Sequence, residues 1–256
     1  MLQLVYDGTM AGLLTAIFEA YERRAPDVMI VRREAALADA FAQRVTIPTN
    51  AVKARRVWVG LSKKLSAAAL EGLYYCYLSG LPEAEGHILA FVRYVFAQPD
   101  RKVEEDFGHP AVLGISQTAK KVGREKHRME AFVRFQELGD GMYYAAIEPD
   151  YDVLPLIAPH FKTRYADQSW LIYDLRRKLG LHYDSSAEAL TEVRLEWVRG
   201  GRHMPDANRL SPREELYQIL WKDYFKSTGI PARRNEKLHL RHMPLRYWRY
   251  LTEKWY

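Results

Sequence analysis

Hydrophobic and polar positions along the chain follow two periods, helical and alternating, and each change of period marks an element. Leu2–Tyr6 is a β-favouring run closed by Asp7-Gly8-Thr9, a turn or helix cap. From Met10 to Arg24 the period is helical, with Leu13, Leu14, Ile17, Phe18 and Tyr21 on one side. Val28–Val31 and Gln43–Ile47 read as two further short strands. Asn50–Ser79 is a long helical region, basic in its first half (Lys53, Arg55, Arg56, Lys63, Lys64) and apolar in its second. Gly60 and Gly72 are its expected interruptions. Leu81-Pro82-Glu83 opens another helix, whose core side is Ile88, Leu89, Phe91, Val92, Val95 and Phe96. The polar stretch Gln98–Glu105 then places a boundary between residues 1–105 and 106–256.

Downstream, Ile115, Ala119, Val122 and Met129 form one apolar stripe with a step missing between the last two. Lys120, Arg124 and Arg128 recur every four residues on a different face, with Lys121 beside them. Phe132, Val133 and Phe135 favour strand, and Gly139-Asp140-Gly141 supplies a turn, so a basic helix runs into a hairpin. Met142–Glu148, Trp170–Asp174, His182–Asp184 and Thr191–Val198 follow as strands, and Asp152–Ala166 as a helix interrupted by Pro155 and Pro159. Ser211-Pro212-Arg213-Glu214 has the pattern of a capping box and starts a helix to Ser227. The fold class predicted is α+β, mixed and helix-rich: a small N-terminal α/β unit running into a helical region, then a larger α+β unit ending in a basic aromatic tail.

Composition narrows the function classes. Hydrophobic content of 48% and aromatic content of 12% belong to a folded globular chain. The net charge of +6 suits a polyanion partner, and equally suits plain surface solubility. Cys76 is the only cysteine, so no internal disulfide forms and cysteine-ligated zinc fingers and iron–sulfur clusters are excluded. Its setting, LYYCYL, reads as a core thiol rather than a nucleophile. The opening MLQLVYDGTM lacks a basic n-region and apolar h-region, and no apolar run approaches the roughly 20 residues of a membrane span. A soluble, cytoplasmic protein with no membrane partner is expected.

Candidate chemistry concentrates in basic stretches. Residues 231–256 hold seven Lys/Arg against two acids, interleaved with Tyr247, Trp248, Tyr250, Trp255 and Tyr256. Guanidinium groups neutralise phosphates and aromatic faces stack on unpaired bases, so a single strand or locally opened duplex fits this mixture. A terminal segment whose Trp and Tyr dock in the core while its arginines stay solvated fits it equally. His239 and His242 are close in sequence but lack an evident third ligand, so no metal site or cofactor is predicted. Asp7-Gly8-Thr9 has too few glycines for a phosphate loop. Glu125, Glu130, Asp140 and Asp174 are possible general acids or bases, with nothing in their spacing to select one. Catalytic residues therefore stay unassigned.

Three blocks, KHRMEAFVRF, GMYYAAIEPDYDVLPLIAPHFKTRYADQSWLIYDLRR and RRNEKLHLRHMPLRYWRYLTE, together with the opening LVYDGTMAGLLTAIFEAY, resemble a bacterial family of unknown function classed with DNA metabolism and DNA repair proteins. The resemblance covers most of the chain. It implies association with a radical SAM DNA repair protein, and a related domain occurs fused to a uracil-DNA-glycosylase-like domain. It carries no catalytic residue over, and the glycosylase's water-activating motif is absent here. The expectation is a DNA-binding accessory protein working with that radical SAM partner. Lys120, Lys121, Arg124, Lys126 and Arg128 form one contact region. Arg233, Arg234, Arg241 and Arg246 form the second, with Tyr247 or Trp248 stacking on a base. An enzyme acting directly on damaged DNA, of nuclease or base-excision type, and a protein–protein adaptor without DNA contact are the alternatives.

Overall fold

The computed structural model describes residues 2–35, 43–98, 103–194, 209–228 and 235–255. The fold is mixed α+β and divides into two compact units, Met1–Gly123 and Arg124–Tyr256. Among the described residues no helix is long and apolar enough to cross a membrane.

In the first unit β1 (Leu2–Tyr6), β2 (Val28–Arg32) and β3 (Gln43–Thr46) form a parallel sheet in the order β2-β1-β3. The central strand is buried from Gln3 to Tyr6, as expected where a parallel sheet is covered. Asp7-Gly8-Thr9 is a cap: the Thr9 hydroxyl accepts the Gly12 N–H at 2.9 Å and starts α1 (Met10–Glu22). Asp7 in turn accepts from the hydroxyls of Thr9 and Thr49, both at 2.7 Å. The long helical region is two helices, α2 (Ala51–Ser62) and α3 (Ala67–Leu78). The break falls at Lys63–Ser66 and not at either expected glycine, because Ser66 offers a side-chain cap to the Ala69 N–H. Then α4 (Ala84–Ala97) buries Ile88, Leu89, Phe91, Val92 and Val95 in the unit's core, where Cys76 also sits. Burial, with the charges of Glu85 and Glu83, pushes the Cys76 thiol up to about 12, which leaves it un-ionised and inert.

Gly12 tests the cap. A Cβ there would lie 2.1 Å from Asp7 Oδ1 and 3.0 Å from Thr49 Oγ1. Gly12→Ala is expected to destabilise by about 1–3 kcal/mol despite alanine's better helix propensity. An unchanged or raised melting temperature would show that the Asp7 carboxylate moves aside without loss.

A single helix, α5 (Pro110–Phe132), contains the division between the units, which thus lies beyond the polar stretch 98–105. In the second unit β4 (Gln136–Glu137), β5 (Tyr143–Ile147), β6 (Trp170–Asp174), β7 (Leu179–Asp184) and β8 (Ala189–Val193) form one sheet in chain order. Only β5 and β6 pair in parallel, joined through α6 (Leu154–Arg164). Every residue of β6 is buried, because both faces are covered. Tyr144, Ala146, Leu171 and Tyr173 pack with Tyr250 on one face. Trp170 on the other face meets Phe161 of α6 and Phe135, each at 6.2 Å. The hairpin beyond α5 is present, but its first strand starts only at Gln136. Phe132 ends the helix, and Phe135 is spent on edge-on packing with Phe161 and Tyr165.

The helix α7 (Glu214–Thr228) starts near the expected place with a different cap. The Ser211 N–H donates to the Glu137 carbonyl and not to the Glu214 side chain, whose carboxylate accepts the Glu137 N–H at 2.9 Å and ties α7 to β4. The tail comprises α8 (Glu236–His242) and two 3-10 turns, Leu245–Tyr250 and Thr252–Lys254. Tyr247, Tyr250 and Leu251 are buried, so this part of the tail belongs to the core.

Candidate functional site

The strands β5 and β6 run parallel and end together, at Ile147 and Asp174. Side chains beyond the carboxyl ends of parallel strands converge, and that is where open α/β sheets place their ligands. Here two loops meet, Glu148–Asp152 and Leu175–Lys178, and they are joined by Glu125 of α5 and Arg246-Tyr247 of the tail.

Glu125 is the centre of one half. It is 1% exposed and occupies the step missing from the apolar stripe of α5. Its oxygens accept the Tyr247 hydroxyl at 2.6 and 2.7 Å and the Asp150 N–H at 3.0 Å. Arg246 approaches at 3.2 Å and Arg128 at 3.5 Å. Arg246 also holds Asp150 at 2.7 Å, so one guanidinium bridges helix and loop. Burial and the adjacent Glu125 carboxylate raise the Tyr247 phenol, which stays a proton donor.

Asp174 is the centre of the other half and is fully buried. Its Oδ1 accepts the N–H groups of Arg176 and Arg177 at 2.9 and 3.1 Å, which folds the turn after β6. Its Oδ2 takes the Arg177 guanidinium at 2.7 Å. Arg177 also donates to the carbonyls of Pro149 and Asp150 at 3.1 and 3.0 Å, clamping the two loops. Burial raises the Asp174 carboxyl from its ordinary value in spite of Arg177. Burial raises Asp152 too; Arg177 works against it and the Asp174 charge adds to it. One Asp152 oxygen is buried with no hydrogen-bond partner among the described residues. Two carboxyls, both raised by burial, thus share one arginine.

The first unit has a comparable device of its own. Glu85, 6% exposed, accepts the Tyr6 hydroxyl at 2.7 Å and Arg32 Nε at 2.8 Å at the carboxyl ends of β1 and β2.

The residues expected to contact nucleic acid fall into groups. Lys120, Lys121 and Arg124 are exposed on α5 and have no carboxylate at ion-pairing distance among the described residues. Lys126 is paired with Glu130 at 3.4 Å, and Arg128 with Glu125. Arg241 is exposed on α8. Arg246 is 43% exposed and shares Glu125 with Arg128, which brings the two basic stretches onto one acid. Arg233 and Arg234 lie outside the described residues. Tyr247 cannot offer a stacking face in this arrangement: it is 1% exposed and packs on Phe132 at 5.5 Å. Trp248 is half-buried, with its indole N–H on the Met243 carbonyl and Lys254 4.7 Å from its ring. His239 lies edge-on to Trp248, and no three metal-ligating side chains group among the described residues.

No sequence signal singles out Asp152, Arg176 or Arg177. Turn chemistry places the last two, and no periodic pattern marks them. Glu125 had a legible signal, since a charged residue replaces an apolar one in a helical stripe. No curated protein matches the chain. Residues 82–253, well over half of the 256, match the family described as a domain of unknown function, DUF4130. That span includes the Glu125 and Asp174 clusters, and by it the chain belongs to the DUF4130 family.

Proposed function

We propose that this protein binds DNA as an accessory factor in DNA repair or DNA metabolism, acting with a radical SAM partner enzyme as the family resemblance implies. The supporting observation is the set Lys120, Lys121 and Arg124, exposed cations on α5 with no ion-pairing carboxylate among the described residues. Unpaired surface cations are disposed to exchange solvent counterions for phosphates. Arg246 and Arg128 are held in place by buried Glu125, so less side-chain entropy is lost on contact. Fluorescence anisotropy with single- and double-stranded DNA over a salt series tests this. The charge-reversal variant of Lys120, Lys121 and Arg124 (each →Glu) is expected to shrink the slope of log affinity against log salt by about 2–3. Absence of binding at low salt, or binding indifferent to salt, would sink the proposal.

A second reading is an enzyme acting on damaged DNA, supported by the unpartnered buried oxygen of Asp152 beside Asp174. Turnover of lesion-bearing oligonucleotides by the protein alone, lost in Asp152→Asn, would favour it. Binding without turnover favours the accessory role.

A further inference from the structure

The second unit contains a cavity of about 850 Å³ that neither the basic helix nor the Glu125 and Asp174 clusters explain. Its size falls within the range of small-molecule sites. Its walls are aromatic: Phe161, Tyr165, Trp170, Tyr217, Trp221 and Tyr224 all line it. Phe161 and Trp170 are buried, at 2% and 0% exposure, whereas Tyr217 and Tyr224 are 50% and 59% exposed. The lining therefore has a closed half and an open half.

Polar groups at the cavity are of two kinds. Three of its charges are already satisfied. Glu130 is paired with Lys126, Arg134 with Glu253 at 2.8 Å, and Glu214 accepts the Glu137 N–H. Arg164 remains as an exposed cation with no ion pair among the described residues. Within the closed half the Trp170 indole N–H is buried and has no acceptor among the described residues. Gln168, His160 and Gln218 supply further donors and acceptors around the lining.

Aromatic walls and one exposed cation without a carboxylate describe a flat ring that carries an anion. We propose that this cavity takes a single unstacked nucleobase, with its phosphate against Arg164. The exposed rings of Tyr217 and Tyr224 can stack on any base. The proposal rests on the DNA-binding reading and names the part of the substrate that this unit holds. A nucleobase bearing a phosphate reaches the cavity either as an unpaired position in a strand or as a free nucleotide.

The experiment uses the full chain. A single-stranded oligonucleotide with one fluorescent adenine analogue is titrated beside the fully paired duplex and a deoxynucleoside monophosphate. The expected result is a preference for the single strand of about tenfold, with quenching of the analogue. Arg164→Glu and Tyr217→Ala, both at exposed positions and checked for folding by circular dichroism, should erase the preference and leave duplex affinity unchanged. Equal binding of both DNAs with an unquenched analogue overturns the cavity proposal while the DNA-binding reading stands. If neither DNA binds, the DNA-binding reading fails. The monophosphate arm then decides: quenching of tryptophan emission that Trp221→Phe reduces keeps the cavity as a free-nucleotide site, and no response at millimolar nucleotide overturns it.

Discussion

Glu125→Ala is expected to destabilise the second unit by about 3 kcal/mol, from the loss of a buried acceptor and not of surface charge. Two donors lose their partner: the hydroxyl of Tyr247, a residue 1% exposed, and the Asp150 N–H. Each orphaned buried donor costs about 1–3 kcal/mol. Arg128 and Arg246 lose less, since their side chains are 30% and 43% exposed and solvent can take over. Glu125→Gln keeps the shape and one carbonyl acceptor, so its cost should be about half. Denaturant unfolding at neutral pH with an unchanged m-value is the measurement. If Glu125→Ala costs less than about 1 kcal/mol, the cluster behaves as an ordinary surface ion pair and does not brace the loop.

The same residue shows how far the sequence could be read. In α5 Ile115, Val122 and Met129 of the apolar stripe are buried, Ala119 is half-buried, and the missing step is the buried acid. Periodicity located the gap but not its partners, because Tyr247 lies 122 residues away. β1, α1, α4 and β6 were legible for the opposite reason: each is defined by its own burial pattern. Where local preference and tertiary need conflict, the sequence misleads. Phe132–Phe135 favours strand, yet its aromatic rings are needed against Tyr247, Phe161 and Trp170. Gly60 stays inside α2 because a Cβ there would lie 3.0 Å from the Phe96 ring. The tail is the clearest case. Interleaved Arg, Trp and Tyr have the same composition whether they meet a nucleic acid or their own core. The contacts that place Tyr247, Tyr250 and Glu253 come from Glu125, Glu148 and Arg134, more than 100 residues earlier in the chain. The turn that places Arg176 and Arg177 is a matter of side-chain acceptors on Asp174, which no periodic pattern reveals.

Arg134→Ala is expected to cost about 3 kcal/mol at neutral pH, and the cost should shrink as the solution is acidified. The Glu253 side chain is fully buried; Arg134 reaches it at 2.8 Å, and the Trp221 indole N–H at 2.9 Å joins α7 to the last turn. Burial alone would raise the Glu253 carboxyl, but the hydrogen bonds and charge of Arg134 and the Trp221 N–H hold it below its ordinary value. A depressed carboxylate contributes stability above its unfolded value, near 4.5, and loses it as pH falls through the lower folded value. Without Arg134 the burial is opposed only by the Trp221 N–H and a backbone hydrogen bond, so the buried carboxylate is less stabilised and gains more from protonation as pH falls. The gap in stability between the two proteins is therefore widest at neutral pH and narrows below about pH 4.5, where wild type loses its pair and the variant protonates its buried acid. Thermal or denaturant unfolding from acidic to neutral pH measures that gap. A difference that stays constant across the range would mean that Arg134 acts by packing over the Trp221 ring, 5.3 Å from its guanidinium, and not through charge.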